Sequence, residues 1–422
     1  MRVVEAAVAA TKQHRLERDP RRDLAPVPAL PAQLLYVACA GCSAPRPPRL
    51  RLTLHPTLFN LRARAALVLV LLLTAAGARA DDRVGASVFV HSDDDGLLVV
   101  HPVATAVVAV QEETHVSARY DADVVSAATV DVRTSASPHG FDETRHGGGL
   151  GVTHDLTRTL HLGLGYGISY SPDYMTHSGA ASLSVEDDQR IHTVGLSLAA
   201  AYDSVGRTGE IDWVGHVTNL ASELSWTAVL SPVAVMDLVG ALEWKDGYQE
   251  NPYRYVPIES GSGQSVVYVT EEVPDQRLRG ALRGRLRLAP EDWLFLRGSY
   301  RFHMDDWGVA GHTVRARVAA EASDRWLLSL NGRFYSQRAA SFYQGTYSTL
   351  PYIPDIRTKD RELAHSWYLA GGARVEYEMG GWLGFAWRVD LRGEVKWQRY
   401  FDTPVLPQRT SVTVGFGLSI ER

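Results

Sequence analysis

Apolar and polar residues alternate with a period of two along most of the chain beyond residue 80. In segment 160–170, Leu, Tyr and Ile at even positions alternate with His, Gly and Ser at odd positions, and segments 383–398 and 412–420 repeat the pattern. Alternation over ten or more residues predicts a β-strand with one apolar and one polar face. Such strands are longer than the roughly 5–6 residues usual in sandwiches, which favours a barrel.

About sixteen segments of this kind occur between residues 84 and 421, and the connections between them alternate between short and long. Segments 155–158 and 231–232 are short connections, whereas 246–274 and 338–362 are long. The pattern predicts an all-β fold, a transmembrane antiparallel β-barrel of about sixteen strands with short periplasmic turns and long external loops. The count is even only if segment 84–91 is the first strand.

A sheet that crosses hydrocarbon must close on itself, because an unpaired backbone amide there costs several kcal/mol. At about sixteen strands the interior is too wide for side chains to fill, so a lumen is expected unless the two longest loops fold inward. Aromatic residues near strand ends predict interfacial girdles. They are Trp293, Trp326 and Trp382 after short turns, and Tyr170, Trp244 and Trp397 near the opposite ends.

The first 80 residues are predicted to be absent from the mature protein. An apolar run at 65–76 follows Arg62 and Arg64 and precedes Ala78-Arg79-Ala80, which is typical of a signal peptide at 58–80 cleaved after Ala80. Residues 1–57 are then an extension that is not native to the protein, with translation beginning near Leu58. A single outer-membrane barrel domain of a Gram-negative bacterium remains at 81–422.

Composition narrows the function classes. The 422 residues are 45% hydrophobic and 22% charged, with a net charge of −5 and 2 Cys, both in the extension. An acidic chain does not predict a nucleic-acid partner, and two cysteines cannot build a disulfide framework or a four-thiolate zinc site. A mean hydropathy of −0.13 is too low for a bundle of membrane helices. No cofactor and no metal are predicted.

Arginines concentrate at inward positions of three or four neighbouring strands. They are Arg277, Arg279, Arg283, Arg285, Arg287, Arg297, Arg301, Arg315, Arg317 and Arg333. One interpretation is a basic wall of the lumen that biases permeation towards anions. The other, favoured by the acidic chain, is that these arginines pair with lumen carboxylates and hold water.

Asp93, Asp94 and Asp95 lie on the first external turn and form a weak candidate for a cation site, since hard cations take oxygen ligands. No complete ligand loop follows, so a solvated turn is the favoured interpretation.

Signatures of enzymes such as G-x-S-x-G, H-E-x-x-H or a P-loop do not occur beyond residue 80, and no enzymatic activity is predicted. A Ser/His pair on the outer face, as in outer-membrane phospholipases, stays an alternative that only geometry can decide. The first functional hypothesis is a channel or transport-type barrel with a partly basic lumen. The alternative is a structural or docking barrel that is plugged by its external loops and binds a partner. The expected partners are outer-membrane lipid, the outer-membrane assembly machinery, and small solutes or an unknown protein.

Several motifs, in order, resemble the outer-membrane barrel family known as domain of unknown function 3570. They are His91-Ser92-Asp93-Asp94-Asp95, Asp123 to Ala128, Thr134 to Pro138, Glu143 to His146, Gly247 to Arg254, Val273 to Arg277, Asp305 to Gly308 with His312-Thr313, and Arg333 to Tyr343. The resemblance implies a bacterial outer-membrane barrel and supplies no activity, substrate or catalytic residue. Such barrels usually end in an aromatic residue that the assembly machinery recognises, whereas this chain ends Ile420-Glu421-Arg422. Assembly is then expected to use Phe416 and Ile420 or an internal strand.

Overall fold

The computed structural model describes residues 82–127, 141–207, 210–261, 265–350, 352–382, 385–403 and 406–421. The predicted extension, the signal peptide and both cysteines lie outside these ranges. The strands are β1 Arg83–Asp93, β2 Leu97–Gln111, β3 Thr114–Ala127, β4 Phe141–Asp155, β5 Leu160–Ser171, β6 Tyr174–Glu186, β7 His192–Arg207, β8 Glu210–Ser231, β9 Ala234–Gly247, β10 Tyr255–Glu259, β11 Val266–Thr270, β12 Gln276–Glu291, β13 Leu294–Asp305, β14 Ala310–Ser323, β15 Trp326–Arg338, β16 Tyr347–Ser348, β17 Ser366–Trp382, β18 Phe385–Tyr400 and β19 Gln408–Glu421. A short 3₁₀ helix spans Arg361–Leu363.

Sixteen strands form one closed antiparallel barrel, as the alternation predicts. They follow one another around the wall in chain order, and β10, β11 and β16 form a separate small sheet. The first strand is part of the wall, because β1 pairs with β19 over eleven residues and so completes the ring. An ion pair of 2.9 Å between Arg83 and Glu421 lies at the end of this seam.

The two ends of the barrel differ, as the loop lengths predict. We call the end with the short connections, such as Ser231 to Ala234, the turn end, and the opposite end the loop end. The alternating pattern also predicts a long loop at 203–215, and this extent is wrong, because β7 continues to Arg207 and β8 begins at Glu210. Their backbone pairing extends the ladder beyond the alternating apolar pattern from which the strand ends were predicted.

Each strand turns its apolar side chains outward. Leu282 and Leu330 are 67% and 66% exposed on the outer face. Their neighbours along the strands, Arg283 and Asn331, lie on the inner face and are partly buried. An apolar outer surface over a closed sheet is the arrangement that hydrocarbon requires. In the described ranges, no helix has the length and hydropathy of a membrane-spanning helix.

Aromatic side chains occupy both ends of the outer face. Trp293 and Trp326 are 53% and 44% exposed beside the turn end. Trp367 and Trp397 meet edge to face at 4.8 Å towards the loop end. The side chain of Trp382 lies outside the described set.

Tyrosine and histidine form repeated diagonal pairs between neighbouring strands on the outer face, which sequence reasoning missed. The tyrosine hydroxyl lies 2.7–2.8 Å from Nδ1 of the histidine in three of them, and the rings stack at 5.3 Å in a fourth. The pairs are Tyr120–His146, Tyr166–His177, Tyr300–His312 and Tyr202–His216. In each pair the tyrosine lies on a strand that runs towards the loop end, and the histidine lies on the next strand, which runs back towards the turn end.

Candidate functional site

A folded cap, built from residues 248–275 and 339–365, lies at the loop end. Its centre is a three-stranded sheet in which β10 pairs with β11 antiparallel and with β16 parallel. Val256 and Ile258 are completely buried in it and Tyr347 nearly so. The two longest loops therefore pack on each other around a small apolar core of their own.

A second apolar cluster fastens the cap to the barrel. Trp307 and Val309, on the turn between β13 and β14, pack against Val273, Ala340 and Leu363 of the cap. The indole N–H of Trp307 also donates to the backbone oxygen at position 276, at 2.8 Å. This cluster fixes both loops to one side of the mouth.

The cap reaches other hairpins around the mouth through polar contacts. The Tyr253 hydroxyl donates to Asp173 on the turn between β5 and β6. Arg207, at the tip of β7, donates to the Tyr255 hydroxyl at 2.6 Å. Because these hairpins and the Trp307 turn belong to separate parts of the ring, the cap lies across the mouth rather than beside it.

The acidic turn at 93–95 holds the cap from the β1–β2 hairpin. Arg361 Nη2 lies 2.8 Å from Asp95 Oδ2, and the two side chains are only 9% and 2% exposed. We call this buried ion pair the latch. Arg361 also lies over the Tyr400 ring, with 5.3 Å between its Cζ and the ring centroid.

The other two carboxylates of this turn accept backbone N–H groups. Asp93 accepts from Asp95 and Leu97 at 3.1 and 2.9 Å, and Asp94 accepts from Thr410 at 2.9 Å. In the part of the chain that the structure describes, no group of three or more His, Cys, Asp or Glu side chains is placed to hold a metal ion. The predicted cation site at Asp93, Asp94 and Asp95 stays a prediction, and the structure gives these carboxylates partners within the protein.

A buried carboxyl group inside the cap responds to pH. Glu250 is 8% exposed, and its Oε1 accepts from the Val273 N–H at 3.3 Å. Burial raises the pKa of this carboxyl, and the nearby charge of Glu272 adds to the effect. Burial likewise raises the pKa of the neighbouring Tyr248 phenol.

All ten arginines of the predicted basic wall lie on the inner face of strands β12 to β15, because they alternate with outward residues such as Leu282 and Leu330. The register places Arg283 opposite Arg301, Arg297 opposite Arg317 and Arg315 opposite Arg333. Among the described contacts, five of the ten form ion pairs and one binds a hydroxyl group, and Arg297 also has an interaction partner. The contacts are Arg277–Asp305 at 2.5 Å, Arg279–Glu243 at 3.6 Å, Arg285–Asp237 at 2.8 Å, Arg287–Asp237 at 3.3 Å, Arg333–Glu394 at 2.6 Å and Arg317–Ser329 at 3.2 Å. This part of the wall is largely a network of opposite charges.

Three arginines stand apart from this network. Arg283 and Arg301 face each other directly across β12 and β13, and Arg315 is on the next strand, β14. Each is close enough to the other two for their charges to interact. Within the described ranges none of the three forms an ion pair with a carboxylate. We call these residues the arginine triad.

An inward aromatic stack connects the triad region to the cap. The rings of His303, Tyr335 and Tyr368 lie nearly parallel, at centroid distances of 5.9 and 5.0 Å. The Tyr335 hydroxyl donates to Gln337 at 2.5 Å, and Gln337 Nε2 donates at 2.7 Å to the backbone oxygens at positions 362 and 364 of the cap. The stack therefore supports the cap from below.

Two strands in another part of the wall, β5 and β7, carry small inward side chains. Along β5 the inward positions are Gly163, Gly165 and Gly167, because Leu164 and Tyr166 are both 51% exposed on the outside. The inward positions of β7 at 195–201 are likewise Gly, Ser or Ala. The lumen lining is therefore asymmetric, with clustered arginines and aromatic groups along β12 to β17, small side chains along β5 and β7, and a further ionic cluster of Asp121, Asp123 and Arg145 on β3 and β4.

A family model with the description "Protein of unknown function (DUF3570)" matches residues 211–395. This part of the chain matches the DUF3570 family. This match covers strands from β8 to most of β18, including the cap and the arginine wall, and it confirms the resemblance that the motifs indicate. No curated protein matches the chain.

Solved structures similar to the chain include a bacterial polysaccharide outer membrane secretin, with 9% identity, a TM-score of 0.46 and coverage of 81% of this chain and 99% of the other. The CymD monoaromatic hydrocarbon channel has 7% identity and a TM-score of 0.40, with coverage of 82% of this chain and 89% of the other. A loop L8 deletion mutant of OmpT, an outer membrane protein of Vibrio cholerae, has 8% identity and a TM-score of 0.39, with coverage of 80% of this chain and 98% of the other. With TM-scores below 0.5, these similarities assign no function to the chain.

Proposed function

We propose that this DUF3570 protein is an outer-membrane channel of the transport type, exported through a cleaved signal peptide, whose external mouth is opened by movement of the cap. The observation that carries the proposal is a sixteen-stranded barrel with a polar, asymmetric lumen below a separately packed cap. A barrel of this width leaves an aqueous path unless something covers it, and here the covering element is made of the barrel's own loops.

The way in which the cap is held supports a gate rather than a permanent plug. Its apolar side is the cluster around Trp307, whereas Arg207–Tyr255 and Tyr253–Asp173 are single polar contacts. On the latch side the Arg361–Asp95 pair is joined by contacts of Glu362 with Arg409 and of His365 with Phe401. Apolar burial on one side with mostly polar contacts on the others suits rotation about the apolar side.

A structural or docking barrel is the second candidate, and a different observation favours it. Strand β11 is an edge of the cap sheet, and its Val266, Val267 and Tyr268 are 49–54% exposed. Exposed edge strands are where extended partners add by backbone pairing. In that case the cap would bind a protein while the lumen stays closed.

Conductance of the purified mature protein, 81–422, in planar bilayers tests the two candidates. A channel gives voltage-dependent current, and R361A, which breaks the latch, raises its open fraction. Silence of both proteins at all voltages, although folded, would refute the channel and favour docking.

Ion selectivity tests the role of the basic wall. If the wall biases permeation, neutralising Arg279, Arg283 and Arg287 to Gln shifts the reversal potential in a KCl gradient towards cation selectivity. The matched control is R158Q, which removes one charge from an exposed residue of a short turn. An unchanged reversal potential in the triple variant would remove the basic wall from the mechanism.

A further inference from the structure

The arginine triad is a group of lumen cations in the β12–β15 wall for which the described residues supply no ion pair. Glu243 and Glu394 interact electrostatically with Arg301 and Arg315, but their ion pairs are with Arg279 and Arg333. The neighbouring positions show how such charges are usually neutralised in this barrel: Asp237 serves both Arg285 and Arg287, and Glu394 serves Arg333. Holding three guanidinium groups together without a directly paired anion costs electrostatic free energy.

The geometry of the triad is fixed by backbone pairing rather than by flexible loops. Arg283 and Arg301 are directly opposite each other in the register, and Arg315 projects from the adjacent strand two register positions nearer the turn end. Arg283 and Arg301 are partly buried and Arg315 is exposed, and Nε of Arg283 is inaccessible to water and has no hydrogen-bond partner in the protein. The wall thus presents several N–H donors on a rigid support.

Space for a ligand is available beside the triad. The inward positions of β5, which lies across the ring from β15, are Gly, and those of β7 are Gly, Ser or Ala, so these strands leave room in the lumen. On the loop side lie Tyr335 and Tyr368, which interact electrostatically with Arg301 and Arg315. A ligand at the triad would therefore contact guanidinium groups at one end and aromatic edges at the other.

We propose that the arginine triad is a binding site for a doubly charged phosphate group, either free or as the monoester of a small solute. This rests on the proposed channel function, because the site faces the lumen. Guanidinium groups bind phosphate oxygens in pairs, and a dianion neutralises clustered cations better than a monovalent ion. No covalent step is involved.

Calorimetric titration of the mature protein in detergent micelles with inorganic phosphate, and separately with glucose 6-phosphate, tests the site. We expect binding that weakens by about tenfold or more in R283Q/R301Q. R301K, which keeps the charge but loses paired donation, should weaken binding less than the double variant. R317Q is the matched control, since it removes an inward arginine of the same wall that binds Ser329, and it should bind phosphate like the wild type.

The outcomes separate the site from the channel. Retention of heat-modifiable migration on gels shows that each variant is folded. Tighter binding of glucose 6-phosphate than of phosphate identifies a phosphorylated solute, and the reverse identifies the free ion; either result supports the site. Equal phosphate affinity of R283Q/R301Q and R317Q, or no binding by the folded wild type, overturns it. Triad-dependent binding by a barrel that never conducts would keep the site and reject the channel.

Discussion

The latch between Arg361 and Asp95 allows a sharp test of how the cap is held. Both side chains are less than a tenth exposed, and their charged atoms are 2.8 Å apart. Replacing Arg361 by Ala leaves Asp95 as a buried, uncompensated charge. Breaking such a pair from one side costs about 3–5 kcal/mol.

This free energy bears on the cap rather than on the whole barrel, because the latch joins the cap to one hairpin. A change of about 3–5 kcal/mol alters the ratio of released to closed cap by about two to nearly four orders of magnitude. We therefore expect R361A to show a much larger open fraction in bilayer recordings and faster limited proteolysis within 248–275 and 339–365, with an unchanged melting temperature of the barrel wall.

The matched control is E272Q. Glu272 pairs with Arg357 in the same cap, but its side chain is 54% exposed and the charged atoms are 3.9 Å apart. An exposed pair of this kind contributes about 0–1 kcal/mol. The double variant D95N/R361Q, which removes both charges, should recover part of the loss. Equal proteolysis rates for R361A, E272Q and the wild type would refute the view that the latch holds the cap.

Three further predictions concern other parts of the molecule. Burial raises the pKa of the Glu250 carboxyl, so folding favours its protonated form and the cap loses stability as the pH rises through that pKa. The E250Q variant should therefore resist proteolysis of the cap better than the wild type at pH 8, and equally well near pH 4, roughly the usual carboxyl range. Equal resistance of the two proteins at both pH values would contradict this. A Cβ at Gly311 would lie 2.4 Å from Cε1 of His303, so G311A should destabilise the barrel by about 1–3 kcal/mol in urea titrations. G298A is the control, because a Cβ at Gly298 would meet no atom within 4 Å, and it should not destabilise the barrel. Leu282 is 67% exposed on the outer face, so L282R should lower the free energy of unfolding in lipid by about 2–4 kcal/mol. The A281R side chain points into the lumen and should lower it less. Similar losses for the two variants would mean that the two faces are misassigned.

Most of the barrel could be predicted from local patterns, and most of the cap could not. The alternation over 160–170 depends only on which residues face oil, so strand type, face and approximate count follow from it. Cap strands β10 and β16 pair across about 90 residues of chain, between Ile258 and Tyr347. Segment 255–259 has the alternation of an ordinary strand, and nothing local identifies β16 as its partner.

The candidate site divides in the same way. The alternation of side chains along each strand predicts that the ten arginines lie on the inner face, because successive residues of a strand point to opposite faces. Which of them find a carboxylate depends on neighbours such as Asp237 and Glu394, which approach only through strand pairing and side-chain reach. Asp95 looked like one of three solvated acids, yet it is paired with Arg361, more than 260 residues away.

The sequence by itself determined the membrane barrel, since a period of two, alternating loop lengths and terminal aromatics are each local consequences of crossing hydrocarbon with strands. Only the tertiary structure decided how the mouth is covered and which lumen charges lack partners. Those features arise from contacts between residues far apart in the chain, and neither hydropathy nor spacing carries information about such contacts.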